Sequence, residues 1–134
     1  MIIDTSALIA ILLEEPDALA ISHAMRPASA AGDLFIAVPT LLECHIVIFG
    51  RKRERGIVEL ELLLKKSTIA VQPFQSSHLK IAREAYNRYG KASGHQAKLN
   101  FGDCFSYALA KHRNDVLLCK GDDFARTDIK LVNY

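Results

Sequence analysis

The chain has 134 residues, of which half are hydrophobic and about a quarter are charged, and this composition excludes a disordered polypeptide. A formal net charge of +2 is too small to indicate a nucleic-acid partner by itself. No apolar run is long enough to span a membrane, and no basic segment precedes the apolar start, which predicts a soluble cytoplasmic protein. The three cysteines, Cys44, Cys104 and Cys119, suit neither a disulfide framework nor a zinc site.

Residues 1–134 contain no repeat or linker-like tract, so we expect a single domain in which short strands alternate with helices. Strands are predicted at residues 1–4, 34–38, 68–71, 116–119 and 131–132. Helices are predicted at 5–13, from Pro16 to about 25, at 40–49 and about 53–65, from Ser76 or Ser77 to 89, and at 101–112, with a polar loop at 90–99 and a helical turn at 122–125. This alternation predicts a three-layer α/β/α sandwich around a mainly parallel sheet of about four to five strands.

Acidic residues recur where the predicted strands end. Ligand sites in such sheets lie beyond the carboxyl ends of the strands. The acids at these positions are Asp4 after the first strand, Glu43 in the helix after the second, Asp103 at the start of the 101–112 helix, and Asp122 and Asp123 after the fourth strand.

Each acid also has a local explanation. Asp4 is placed to cap the helix that follows it. Glu43 lies three residues after Thr40, in the pattern of a capping box. Asp103 suits the first turn of a helix, and Asp122 or Asp123 suits the start of a short helical turn.

Taken together, the acids indicate a metal site. Two carboxylates about 4 Å apart repel by roughly 4 kcal/mol at an effective dielectric of about 20, so a cluster of them needs a divalent cation. Oxygen ligands without a His or Cys set favour Mg²⁺, for which Mn²⁺ can substitute. Such a site suits phosphodiester hydrolysis, because the cation polarises the phosphoryl oxygen and activates water. Ser6, two residues after Asp4, could support it with a hydroxyl contact, and capping of the first helical turn is the alternative for this residue.

Four segments of the sequence resemble VapC-type toxins of the PIN-domain ribonuclease family. The segments are MIIDTSALIAILLEEPDA, VPTLLEC, LNFGDCFSYALAK and LLCKGDDFARTDI, and in the family's order and spacing they extend over essentially the whole chain. The resemblance implies a PIN fold, Mg²⁺-dependent endoribonuclease activity and the toxin role in a type II toxin–antitoxin system. It also implies a homodimer, and a VapB-like antitoxin that forms a heteromer with the toxin and blocks its active site. Asp4, Glu43 and Asp103 match the first three acids of the family.

The fourth acid of the family has no clean match. Many PIN domains have an acid or Asn four residues before the Phe that Phe124 matches, and this chain has Lys120 there. We prefer Asp122 as the fourth metal ligand because it is the first acid after the strand, with Asp123 as the alternative.

Basic residues that could contact RNA occur in two places. The run RKRER places Arg51, Lys52 and Arg53 close together, and His95 lies in the polar loop before Asp103. The alternative for the basic run is a solvated helix end, and for His95 an ordinary loop position.

Other function classes fit the acids less well. A phosphotransfer receiver domain would have an acidic pair near the first strand, and a phosphatase of the Asp-x-Asp type would have a second Asp in place of Ser6. A binding module with an unused site is the remaining alternative, and an RNA cleavage assay with and without Mg²⁺ separates it from an enzyme.

Overall fold

The computed structural model describes all 134 residues of the chain. Its strands are β1 (Ile2–Ile3), β2 (Phe35–Ala37), β3 (Ala70–Gln72) and β4 (Leu117–Leu118). Its helices are α1 (Thr5–Leu12), α2 (Ala18–Ala31), α3 (Val38–Lys66), α4 (Ser76–Tyr89) and α5 (Asp103–Arg113), with 3₁₀ turns at Lys91–Ser93 and Phe124–Arg126. None of these helices has both the length and the apolar character needed to cross a membrane.

The four strands form one parallel sheet in the order β3-β2-β1-β4. The central strand β1 pairs with both neighbours, since Ile2 lies opposite Phe35 on one side and opposite Leu117 on the other. The predicted last strand is reduced to a single bridge between Leu117 and Leu131. Because all strands run in the same direction, their carboxyl ends meet at one edge of the sheet.

Neighbouring residues of each strand point to opposite faces of the sheet and enter different cores. Ile3 packs with residues of α1, α2 and α3, whereas Ile2 packs with residues of α4 and α5, and both side chains are completely buried. Leu118 and Leu117 of β4 divide in the same way. Helices therefore cover both faces of the sheet, and the predicted three-layer α/β/α sandwich is confirmed.

Several predicted boundaries shift in the structure. Helix α2 begins at Ala18 rather than at Pro16 and continues beyond residue 25, past Pro27, to a left-handed Gly32 at φ 71°. The cap of α4 is Gln75 rather than Ser76 or Ser77, because the backbone amide of Gln75 donates to Nδ1 of His78 at 3.1 Å. Patterns of hydrophobic residues do not show such local hydrogen bonds.

Helix α3 is bent sharply at Arg53, where φ is 52° and ψ is −144°. The bend separates the two helices predicted at 40–49 and 53–65, although they share one continuous segment. The arms lie against each other at Gly56, where an added Cβ would stand 2.8 Å from both Ile48 Cγ1 and Lys52 Cβ. Gly56 is therefore required by this close contact.

Candidate active site

Asp4 lies directly after β1 and is buried, with 4% of its surface exposed. Its Oδ2 accepts hydrogen bonds from the backbone amide of Ser6 at 2.9 Å and from the Ser6 hydroxyl at 2.6 Å. Its Oδ1 accepts a hydrogen bond from the buried hydroxyl of Ser106 at 2.7 Å. Asp4 therefore caps α1, as its local explanation predicted, and the same bonds hold its carboxylate at the sheet edge.

Glu43 lies in the second turn of α3 and is not part of a capping box. Helix α3 begins at Val38, and the hydroxyl of Thr40 lies 3.3 Å from Ser106 Oγ instead of capping the helix. Glu43 Oε2 accepts a hydrogen bond from Thr5 Oγ1 at 2.5 Å, which ties the carboxylate to the first residue of α1. The capping-box alternative for Glu43 is therefore wrong.

Asp103 begins α5 and forms a reciprocal pair with Asn100. The backbone amide of Asn100 donates to Asp103 Oδ2 at 2.6 Å, and the amide of Asp103 donates to Asn100 Oδ1 at 3.0 Å. Burial raises the pKa of Asp103 from its ordinary value of 3.8 to about 6, the Asn100 amide offsets part of that rise, and the negative charges of Asp4, Asp123 and Glu43 add to it. The carboxylates therefore act on one another through space.

The loop after β4 contains two neighbouring aspartates, Asp122 and Asp123, of which one lines the pocket of the other acids. Asp123 lines the pocket that contains Asp4, Glu43 and Asp103, and its charge contributes to the raised pKa of Asp103. Both aspartates are exposed, but Asp122 does not line this pocket, and its carbonyl accepts the amide of Ala125. The geometry therefore favours the alternative Asp123 over the preferred Asp122, and the identity of the fourth metal ligand stays a prediction.

These four acids line one pocket of about 260 Å³ at the carboxyl edge of the sheet. The remaining polar members of its wall are Thr5, Ser6, Asn100 and Lys120. Ser6 links Asp4 to the end of β4, since its Oγ also accepts the backbone amide of Lys120 at 2.9 Å. A larger groove of about 390 Å³ between α4 and α5 is mostly apolar and contains none of the acids.

The donor chemistry of the pocket fits a hard divalent cation. No acid of the cluster is paired with a basic side chain, because the one lysine of the wall is bonded to Glu15 and Asp17. Four carboxylates without a counter-ion favour an oxygen-liganded cation such as Mg²⁺ or Mn²⁺. In the side-chain positions of this structure, no three His, Cys, Asp or Glu groups stand close enough together to hold a metal ion directly. A cation would therefore have to draw the carboxylates toward it.

The basic residues predicted to contact RNA lie outside the pocket. Lys52 is engaged within the fold, since its Nζ donates to the carbonyl of Leu12 and to Glu59, both at 2.6 Å. Arg53 stands over the ring of Phe49 at 5.5 Å, and Arg51 is exposed.

His95 is likewise held by its own loop. Its ring meets that of Tyr89 edge-on at 5.0 Å, and its Nδ1 accepts the amide of Ala97 at 3.1 Å. A role of His95 in RNA binding therefore stays a prediction, as it does for the basic run.

Three residues that were not predicted to belong to the site hold the acids in place by hydrogen bonds. Thr5, Ser106 and Asn100 each donate a hydrogen bond to one carboxylate. The pattern Asn-x-x-Asp is a readable signal for Asn100, and the helical spacing of three residues places Ser106 on the face of Asp103. Nothing in the sequence indicated that Thr5 reaches Glu43.

Comparisons with known proteins agree with one another. The family model of the PIN domain matches residues 1–130. The chain is 44% identical to ribonuclease VapC of Mycolicibacterium smegmatis over 133 residues, which are 99% of this chain and 100% of that protein. It is 41% identical to ribonuclease VapC28 of Mycobacterium tuberculosis over 130 residues, 97% of this chain and 96% of that one.

A solved structure shows the same fold at low sequence identity. It is the crystal structure of VapBC2 from Rickettsia felis bound to a DNA fragment from their promoter, and the match has a TM-score of 0.79 at 15% identity. The match covers 97% of this chain and 95% of the chain in that structure. This likeness supports the architecture described above.

Proposed function

The chain belongs to the PIN domain family, and on that premise we propose that it is a Mg²⁺-dependent endoribonuclease that acts in the cytoplasm as the toxin of a VapBC-type toxin–antitoxin pair. The observation that carries this proposal is the pocket at the carboxyl edge of the sheet, where Asp4, Glu43, Asp103 and Asp123 lie without a basic partner. The ribonuclease relatives match the chain over nearly its whole length, which supports the same activity here.

Asp4, Glu43, Asp103 and Asp123 would hold the cation. When bound, Mg²⁺ supplies a Lewis acid that polarises the phosphoryl oxygen of RNA and lowers the pKa of water. The chain orients the ligands: hydroxyls of Ser6 and Ser106 hold both oxygens of Asp4, and the Asn100 amide holds Asp103. Hydrogen bonds of this kind preserve ligand orientation, and losing one typically costs about 10- to 100-fold in metal affinity or activity.

An antitoxin would have an apolar surface beside the pocket to bind. Leu42, Ile46 and Phe49 are 58%, 62% and 37% exposed on the arm of α3 that carries Glu43. Exposed apolar residues at helical spacing are typical of protein interfaces. We propose that a VapB-like segment covers this stripe and, with it, the mouth of the pocket.

The homodimer remains a proposal that the α4–α5 groove supports. Phe101 is 79% exposed at this groove, beside Leu79 at 52% and Tyr86 at 38%. Aromatic side chains so exposed favour burial against another surface. Light scattering of the purified protein tests the dimer directly, and a monomer at micromolar concentration would contradict it.

The test of the nuclease proposal is cleavage of a broad panel of single-stranded and structured RNAs. The wild type should cut at least one RNA in Mg²⁺, lose cleavage in EDTA and regain it when Mg²⁺ or Mn²⁺ is added back. Asp4→Asn and Asp103→Asn should remain folded by circular dichroism and leave the RNA intact. Cleavage by the wild type that is no faster than by Asp103→Asn would contradict the enzyme and favour a binding module.

The toxin role is tested in cells. Induction of the wild type alone should arrest the growth of a bacterial host, whereas Asp103→Asn at the same soluble level should not. Unimpaired growth with soluble wild-type protein present would contradict the toxin role, even if cleavage in vitro is established.

A further inference from the structure

Lys120 carries the only positive charge on the wall of the acidic pocket, and we propose that its ammonium group binds a backbone phosphate of the RNA next to the phosphate that is cut. The inference rests on the proposed nuclease function and adds a substrate contact to it. It concerns the position at which the sequence departs from the family pattern, where a cation replaces the expected acid or Asn.

The backbone of Lys120 is fixed close to the acids. Its amide donates to Ser6 Oγ at 2.9 Å, and the same hydroxyl donates to Asp4 Oδ2 at 2.6 Å. Only one side chain therefore separates the main chain of Lys120 from the Asp4 carboxylate. From this anchor the long lysine side chain leads outward to the rim of the pocket.

At the rim, the ammonium group is bonded to acids that are not part of the cluster. Lys120 Nζ lies 2.6 Å from Glu15 and 3.1 Å from Asp17, which belong to the turn between α1 and α2. The side chains of the three residues are 31%, 34% and 48% exposed. Ion pairs this open to solvent are weak and exchange readily, so a phosphate can replace either carboxylate.

The charge of the pocket explains why such a contact is needed. The four carboxylates repel an incoming polyanion, and a cation bound among them acts mainly on the phosphate that is cut. The neighbouring phosphates of the strand need a separate positive charge, and Lys52 does not line the pocket. Lys120 is the one basic side chain of the wall, so it is the group placed to meet such a phosphate.

The experiment measures RNA binding and cleavage separately. Binding is measured with a short single-stranded RNA in an Asp103→Asn background, which holds RNA without cutting it, and KM and kcat are measured with intact acids. Lys120→Met should weaken binding and raise KM about tenfold with little change in kcat, because it removes a charged hydrogen bond. The slope of log K against log salt should become shallower by about 0.7, the amount for one phosphate contact on a single strand.

Three matched variants decide between substrate binding and a structural role. Lys66→Met removes a positive charge from the last turn of α3, outside the pocket, and should leave the KM and the salt slope unchanged. Lys120→Arg should retain most of the binding. The double variant Glu15→Gln/Asp17→Asn frees the ammonium group and should bind RNA more tightly than the wild type.

Two results would overturn the proposal. One is an unchanged KM and salt slope in Lys120→Met. The other is a loss of RNA binding in Glu15→Gln/Asp17→Asn as large as in Lys120→Met, because the ion pair would then serve only to fix the turn. Should Lys120→Met fail to fold, the double variant is judged against the wild type instead: tighter RNA binding supports the proposal, and unchanged or weaker binding overturns it. Absence of any cleavage by the wild type would count against the nuclease function, whereas the binding arm still tests Lys120.

Discussion

Replacement of Asp103 by Asn is expected to stabilise the protein while it abolishes RNA cleavage. Burial and the neighbouring carboxylates raise the pKa of Asp103 from 3.8 to about 6. Since one pKa unit corresponds to about 1.4 kcal/mol, the ionised Asp103 lowers the free energy of unfolding by up to roughly 3 kcal/mol at neutral pH. The amide oxygen of Asn can still accept the Asn100 amide, so the variant avoids that cost and keeps the bond. With solvent screening, we expect a gain of about 1–3 kcal/mol, or roughly 3–10 °C in Tm.

The dependence of stability on pH tests whether ionised Asp103 destabilises the fold. A carboxyl group with a raised pKa stabilises the fold below its unfolded value of 3.8 and loses that contribution as pH rises through about 6. The difference in Tm between Asp103→Asn and wild type, measured in EDTA, should therefore be largest above pH 7 and vanish near pH 4. Mg²⁺ should raise the Tm of the wild type more than that of the variant. A variant that melts below the wild type at pH 7.5 would refute the reasoning, because Asp103 would then be mainly a stabilising cap.

Three further predictions follow from single contacts. Ser106→Ala removes a hydroxyl that donates to Asp4 Oδ1 at 2.7 Å. The kcat/KM for RNA should fall about 10- to 100-fold, while circular dichroism shows the fold retained. Undiminished activity would contradict this prediction. Burial lowers the pKa of His78, whose neutral Nδ1 accepts the Gln75 amide. The stability of the wild type in urea should therefore decline as pH falls below 6.5, and His78→Gln should flatten that decline. Parallel curves of stability against pH for the two proteins would contradict this prediction. Arg53→Gly relieves a left-handed φ of 52° and should raise the free energy of unfolding by about 1 kcal/mol, whereas a loss of stability would show that the contacts of the arginine side chain outweigh the strain.

The order of elements could be predicted from the sequence because each layer leaves a clear pattern. Ile2 and Ile3 are both apolar and both buried, which is the pattern of a strand covered on two faces. In α5, Ser106, Tyr107 and Ala110 lie on the same face as Asp103 and are buried, so this helix is covered on more than one side. The parallel sheet then brings residues distant in the sequence to one edge.

The choice among neighbouring polar residues could not be made in the same way. Asp122 and Asp123 have the same chemistry and both precede the 3₁₀ turn, and only the path of the folded loop shows that Asp123 lines the pocket. Thr40 and Glu43 have the spacing of a capping box, yet tertiary contacts with Ser106 and Thr5 take both side chains. Such contacts join residues far apart in the chain and leave no periodic signal.

The same two aspartates provide the most direct test of the claim that the four-acid pocket cleaves RNA. Single-turnover cleavage of a responsive RNA in Mg²⁺ should be compared for wild type, Asp122→Asn and Asp123→Asn, which differ from one another only in which neighbouring carboxylate is lost. We predict that Asp123→Asn cleaves at least about 10-fold more slowly, as expected for a lost contact to the cation, whereas Asp122→Asn cleaves at the wild-type rate. Equal rates for the two variants, or a loss confined to Asp122→Asn, would contradict the account.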